Sequence, residues 1–128
     1  MIRVIRRRLV PLVPLLLAAC GSAFRPPGAP PDWPRLAFAI TGHYEDRAVE
    51  RWGTCRLPRI TGFLRVEVRV RTAERLVLRV RYAWRDEAYG GDDGGFLDRC
   101  RGFGTRTFVL DPASGRVLAM SGPTRDDP

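Results

Sequence analysis

The sequence predicts a mainly β domain: a small antiparallel sheet of five to six short strands, curled into a sandwich or barrel, with a short helix at 44–52 as the one helical candidate. Two observations predict it. Apolar and polar residues alternate with a period of two along most of the chain after residue 35, and the intervening segments carry glycine, proline and aspartate at turn positions. Alternation this clean marks antiparallel strands with one buried face, because buried parallel strands are apolar on both faces. An open roll of helix and sheet is the alternative architecture.

The elements follow in order. Leu36, Phe38 and Ile40 alternate with Ala37, Ala39 and Thr41, as a half-buried strand requires. The next segment is ambiguous: Tyr44, Ala48, Val49 and Trp52 line one face of a helix, whereas Gly42 and Gly53 also suit a short irregular hairpin. The clearest strand runs from Phe63 to Val70, with Leu64, Val66, Val68 and Val70 set against Arg65, Glu67 and Arg69. In the following strand Leu76, Leu78, Val80, Tyr82 and Trp84 share one face and Arg79, Arg81 and Arg85 the other. Thr72–Arg75 joins the two as a hairpin, and a three-residue loop would set Glu67 opposite Arg81. Four glycines between Tyr89 and Phe96 leave nothing to hold a regular element, so a loop is expected there. Thr105–Leu110 and Arg116–Ser121 form a second hairpin through Asp111-Pro112-Ala113-Ser114-Gly115, where proline suits a type I turn and Gly115 a positive φ.

With 128 residues, 45% of them hydrophobic, the chain is one small globular domain at most. That excludes a dinucleotide-binding unit paired with a substrate domain, and a barrel of eight β/α units. A single histidine disfavours imidazole catalysis and multi-histidine metal sites. At the N-terminus, Arg3, Arg6, Arg7 and Arg8 form a positive cluster ahead of an apolar run from Leu9 to Ala19. The run is too short for a bilayer core of roughly 30 Å, which needs about 20 residues, and it contains Pro11 and Pro14. Leu17-Ala18-Ala19-Cys20 resembles the lipobox of bacterial lipoproteins. The resemblance covers only the first 20 or so residues; the mature domain resembles no family that we can name. It implies a signal peptide over 1–19, cleavage before Cys20, and lipidation of the Cys20 thiol with fatty acyl chains such as palmitate. Gly21 after the cysteine implies transit to the periplasmic leaflet of the outer membrane rather than retention at the inner membrane.

The remaining sequence then divides into a lipidated, proline-rich tether at 20–34, a β domain at 35–122 and a disordered tail at 123–128. Five prolines between Pro26 and Pro34 favour polyproline extension, a spacer of roughly 40 Å that excludes a helix. With Cys20 lipidated, Cys55 and Cys100 remain as an even pair in an oxidising compartment, which favours a disulfide. Two free buried thiols, or a Cys/Cys/His43 metal site without any zinc spacing signature, are the competing readings.

The formal charge is +8, but loss of the four signal arginines leaves 18 Arg against 14 acids, about +4. With export, that argues against nucleic acid. The exposed face of the central hairpin should carry Arg65, Arg69, Arg71, Arg79, Arg81 and Arg85, a candidate anion-binding face for phosphates or carboxylates. A solvated strand face written in arginine, by a chain that lacks lysine altogether, is the blander reading. Asp92, Asp93 and Asp98 lack calcium-loop spacing and read as turn residues. His43, beside Tyr44 and Glu45, has no nucleophile in a recognisable setting, since Ser22 falls on the tether and Ser114 and Ser121 lack the Gly-x-Ser-x-Gly context. Glu45, Asp46 and Glu50 offer carboxylates, yet so short a chain has little room for a sugar cleft. No catalytic residues, metal or cofactor are expected. The expected function is therefore a lipid-anchored envelope lipoprotein with a non-catalytic binding or structural domain. Its partners are the membrane through the anchor and an envelope protein or anionic envelope polymer. The alternatives are inhibition of an envelope or host hydrolase, in the manner of lysozyme-inhibitor lipoproteins, through the Gly90–Gly95 loop or the 43–52 segment, and recognition of anionic polymers or lipids by the arginine face.

Overall fold

The computed structural model describes residues 25–86 and 100–126. The lipobox, the Gly90–Gly95 loop, and Asp92, Asp93 and Asp98 lie outside the described residues. One helix, α1 (Trp33–Arg47), precedes four strands, β1 (Pro58–Arg71), β2 (Leu76–Asp86), β3 (Arg101–Leu110) and β4 (Val117–Met120). The strands form one antiparallel meander in the order β1-β2-β3-β4, and the sheet does not close. The domain is mainly β, as expected, but with four strands in a single layer rather than five or six in a sandwich or barrel. The helix covers one face in place of a second sheet.

The strand expected at 36–41 is the middle of that helix. Leu36, Phe38 and Ile40 fit period two, but Trp33, Leu36, Ile40 and Tyr44 also recur at spacings of three and four, and these four are the residues the helix buries. Phe38, which a strand would have turned inward, is 85% exposed. Pro34 falls in the first turn, where its missing N–H is no loss, so the proline run starts a helix instead of forbidding one. The helix expected at 44–52 has only its first turn in common with α1. The chain turns extended at Ala48, pairs Glu50 with Cys55 in an isolated bridge, and makes a single 3-10 turn at Arg51–Gly53.

Both hairpins form where turn chemistry placed them. In the first, Arg71 pairs with Leu76, so the connection holds four residues, closed by Thr72 N–H donating to Arg75 O at 2.8 Å. Glu67 therefore faces Arg79 and not Arg81, and Arg65 faces Arg81. In the second, Asp111 N–H donates to Arg116 O at 2.9 Å, the Asp111 carboxylate accepts from Ala113 N–H and the Ser114 hydroxyl, and Gly115 takes φ +74°. Those bonds hold the Asp111 carboxyl below the usual carboxylate range.

The core has two contiguous parts. Trp33, Leu36 and Ile40 pack on Val66, Leu78, Val80, Phe108 and Leu110; Tyr44 and Ala48 pack with Tyr82, Trp84 and the Cys55–Cys100 pair. These cysteines form the disulfide, with Cα atoms 5.5 Å apart, which disposes of the free-thiol and Cys/Cys/His43 readings. Closing a loop of about 46 residues, the bridge contributes roughly 4 kcal/mol by chain entropy.

The folded body extends beyond 35–122 at both ends. Pro26 and Pro30 are buried, and Pro27 O accepts from Val66 N–H at 2.9 Å, so from Arg25 onward the proline stretch is docked on the edge of β1 instead of standing free as a spacer. Gly28 is required there: at φ +82° a Cβ would meet Val66 O at 1.9 Å. At the other end, the segment expected as a disordered tail is pinned as far as it is described. Thr124 bridges to Ala48, Arg125 N–H donates to Arg47 O, and the Arg125 guanidinium reaches the backbone carbonyls of Glu45, Asp46 and Arg56.

Candidate functional site

Alternation along β2 sends Leu76, Leu78, Val80, Tyr82 and Trp84 toward the helix and Arg79, Arg81 and Arg85 to the open face of the sheet. Pairing then adds neighbours that sequence reading passed over. Arg59, Arg85 and Arg101 form one row across three strands, and Arg65, Arg81 and Thr105 form another. Arg59 was hidden because Gly62 and a bulge between Ile60 and Gly62 interrupt the alternation that would have extended β1 upstream.

Arg65, Arg79, Arg81 and Thr105 line a shallow groove of about 270 Å³ together with Glu67. Glu67 is committed to Arg69, whose Nη1 donates to its Oε1 at 2.8 Å, and that bond holds its carboxyl below the ordinary range. Four of the six arginines assigned to this face, Arg65, Arg79, Arg81 and Arg85, occupy it, and Arg69 is tied to Glu67 beside it. Arg71 does not share it. A bulge between Val68 and Val70 reverses the alternation, so Arg71 pairs with inward-facing Leu76, and its charge acts on Asp32 at the start of α1. Asp32 is held below its usual value chiefly by the guanidinium of Arg35, 3.0 Å away. Phe103, in the neighbouring row, is 68% exposed on the same face.

The opposite face holds a polar cluster that the sequence reading did not assemble. Arg106 is 3% exposed. Its Nε donates to the Tyr82 hydroxyl at 2.9 Å, Nη1 to Ser121 O and Pro123 O at 3.0 Å each, and Nη2 to Val49 O at 2.7 Å, with Glu50 Oε1 at 3.4 Å. Tyr44 and Tyr82 both donate their hydroxyls to Glu50 Oε1, at 2.8 and 2.6 Å. Burial, reinforced by the Glu50 carboxylate, pushes both phenols far above their ordinary range, so they act as fixed donors and not as bases. Of the three carboxylates considered for acid–base work, Glu50 is thus spent on internal bonds. The signal lay in β3: Arg106 has the same parity as Phe108 and Leu110, which places an arginine in the core. Gly104 belongs to the same device, because a Cβ there would meet the Tyr82 hydroxyl at 2.5 Å.

His43, on α1, is half-buried, and desolvation pushes its imidazole below the ordinary value, with Arg47 adding to the shift. Among the described residues no group of three or more His, Cys, Asp or Glu side chains is placed to hold a metal, and no helix is long and apolar enough to cross a membrane.

Trp52 stands apart from both clusters. It is fully exposed, and it and Arg51 hold φ of 58° and 52°, a left-handed conformation uncommon for such residues. The loop carrying it is closed by paired Glu50–Cys55 backbone bonds of 2.9 and 3.1 Å. One foot is locked by the disulfide and the other by the Glu50 cluster. A scan against protein-family models finds no match for this chain, and searches of curated proteins and of solved structures find none either.

Proposed function

We propose that this chain is a lipid-anchored lipoprotein of the bacterial cell envelope, exported by residues 1–19, tethered through acylated Cys20, and carrying a non-catalytic binding domain. The Cys55–Cys100 bridge is the observation that carries the reading. Such a bond persists in an oxidising compartment and is rare in a reducing cytosol, which agrees with the export segment. The basic groove on the open sheet face, and a polar cluster already saturated by its own bonds, support binding over catalysis. Gly21 favours the periplasmic leaflet of the outer membrane.

The test is the intact mass of the full-length chain expressed in a Gram-negative host and extracted from its envelope. Cleavage before Cys20 with added acyl mass is expected, and Cys20→Ala should abolish both the cleavage and the added acyl mass. Retention of residues 1–19, or an unmodified Cys20 in a mature chain, would overturn the reading. One observation favours a second role: the rigid loop that presents Trp52 suits insertion into the cleft of a hydrolase such as lysozyme. In that case the chain inhibits lysozyme at micromolar concentration and Trp52→Ala does not.

A further inference from the structure

Two arginines placed directly opposite one another on adjacent strands repel, and a sheet ordinarily avoids that arrangement. Here Arg65 and Arg81 are such a pair, and Arg79 lies two residues from Arg81 on the same face. The one acid in the groove relieves them only in part: Glu67 faces Arg79 and its charge acts on Arg79 and Arg65, but its hydrogen bond goes to Arg69. Among the described residues, Arg65, Arg79 and Arg81 have no hydrogen-bonding or ion-pair partner. Thr105 completes the row beyond Arg81 with a neutral hydroxyl.

We propose that this groove is a binding site for a phosphate monoester, with Arg65 and Arg81 as the paired clamp, Arg79 as the third cation and Thr105 as a neutral donor. A carboxylate presents two oxygens in one plane, which a single guanidinium satisfies edge to edge. A tetrahedral phosphate presents oxygens in several directions and carries about −1.5 to −2 charge near neutrality, which suits cations arriving from two strands. The opposed pair becomes favourable once a dianion sits between its members. Arg69 is a positioning residue: by holding Glu67 it keeps a carboxylate from taking the ligand's place. The inference gives the binding role proposed above a ligand class. It rests on that reading only for where the ligand is met, since the lipid on Cys20 is tested by mass and the groove by titration.

The experiment follows the arginine Nε–Hε signals of the full-length chain in neutral detergent as inorganic phosphate replaces chloride at constant ionic strength. The signals of Arg65, Arg79 and Arg81 are expected to shift together and saturate. Arg81→Gln should weaken the apparent affinity roughly tenfold to a hundredfold, the range for losing a charge-assisted hydrogen bond. Glu67→Gln should tighten it, and Arg69→Gln should weaken it by releasing Glu67. Folding is not at risk, because Arg81→Gln removes a repulsion and leaves the melting temperature in chloride unchanged or higher.

Flotation with vesicles of phosphatidylcholine alone, or with a fifth of phosphatidic acid, separates the sources of the ligand. Here a chain beginning at Gly21, which keeps every described residue, is used, so that neither the basic apolar segment 1–19 nor an acyl anchor itself partitions. Binding to phosphatidic acid vesicles that Arg81→Gln abolishes identifies a lipid headgroup; saturation by free phosphate without vesicle binding identifies a soluble monoester. Non-saturating shifts, the same in wild type and Arg81→Gln, or a Glu67→Gln variant that binds more weakly, would overturn the proposal.

Discussion

Replacing Arg106 by methionine should destabilise the domain by about 3–5 kcal/mol, the range for removing one partner of a buried charged pair. The magnitude can be worked from its bonds. Val49 O and the Tyr82 hydroxyl are buried with the guanidinium and lose a charged donor outright. Ser121 O and Pro123 O lie nearer the surface and recover part of their loss by binding water. A hydrogen bond to a charged group is worth about 1.5–3 kcal/mol. Two such losses, less the apolar gain of methionine, fall within the stated range. Glu50 keeps both tyrosine donors but loses its nearest cation. Glu50→Gln in the same background should therefore cost less than the sum of the two single changes, by about 0.5–3 kcal/mol of coupling. Urea unfolding followed by tryptophan fluorescence measures each variant. A cooperative transition for Arg106→Met within about 1 kcal/mol of wild type, the net value of an ordinary neutral hydrogen bond, would refute the assignment of Arg106 as the centre of the cluster.

Four further outcomes are expected. Gly104→Ala should cost about 1–3 kcal/mol by driving a methyl group into the Tyr82 hydroxyl, whereas Gly42→Ala, with open space around it, should be neutral or mildly stabilising; paired melting curves compare them. Reducing Cys55–Cys100 should lower stability by roughly 4 kcal/mol, read as a displaced urea midpoint with and without reductant. His43 gives the only imidazole signals in the chain, so a proton NMR titration should find its midpoint below 6.5. Because the unfolded chain takes up that proton first, the corresponding stability is present above pH 6.5, declines as pH falls below it, and levels off beneath the folded midpoint. Trp52→Ala should leave the melting temperature unchanged, since the indole is fully exposed; a fall of several degrees would show that the loop is held by contacts of its side chain.

The two hairpins were legible because their signals are local: a strict alternation on each side of residues that prefer turns. The disulfide was legible once Cys20 had been set aside with the lipobox-like segment, through the parity of the remaining cysteines. Leu36-Ala37-Phe38-Ala39-Ile40 was not, since period two and the i, i+4 spacing agree over so short a run and only Phe38 separates them. That one misreading added a strand, hid the helix and turned a two-layer fold into an expected sandwich. The arginine face was legible as far as alternation held, and failed at Arg71 because a bulge shifts parity without any composition cue. The Glu50–Arg106 cluster joins residues 56 positions apart through a helix end, a loop and a strand, a juxtaposition that no local pattern encodes.

The acceptors that Arg106 finds on Ser121 and Pro123 have a consequence for how the molecule is made. They belong to the last part of the described chain to leave the ribosome, as does the Arg125 clasp on the end of α1. A nascent chain that already holds the helix and three strands still carries a buried cation short of two ligands. Final closure therefore waits on the arrival of residues 121–125, and the buried cluster remains open until late in the chain's synthesis.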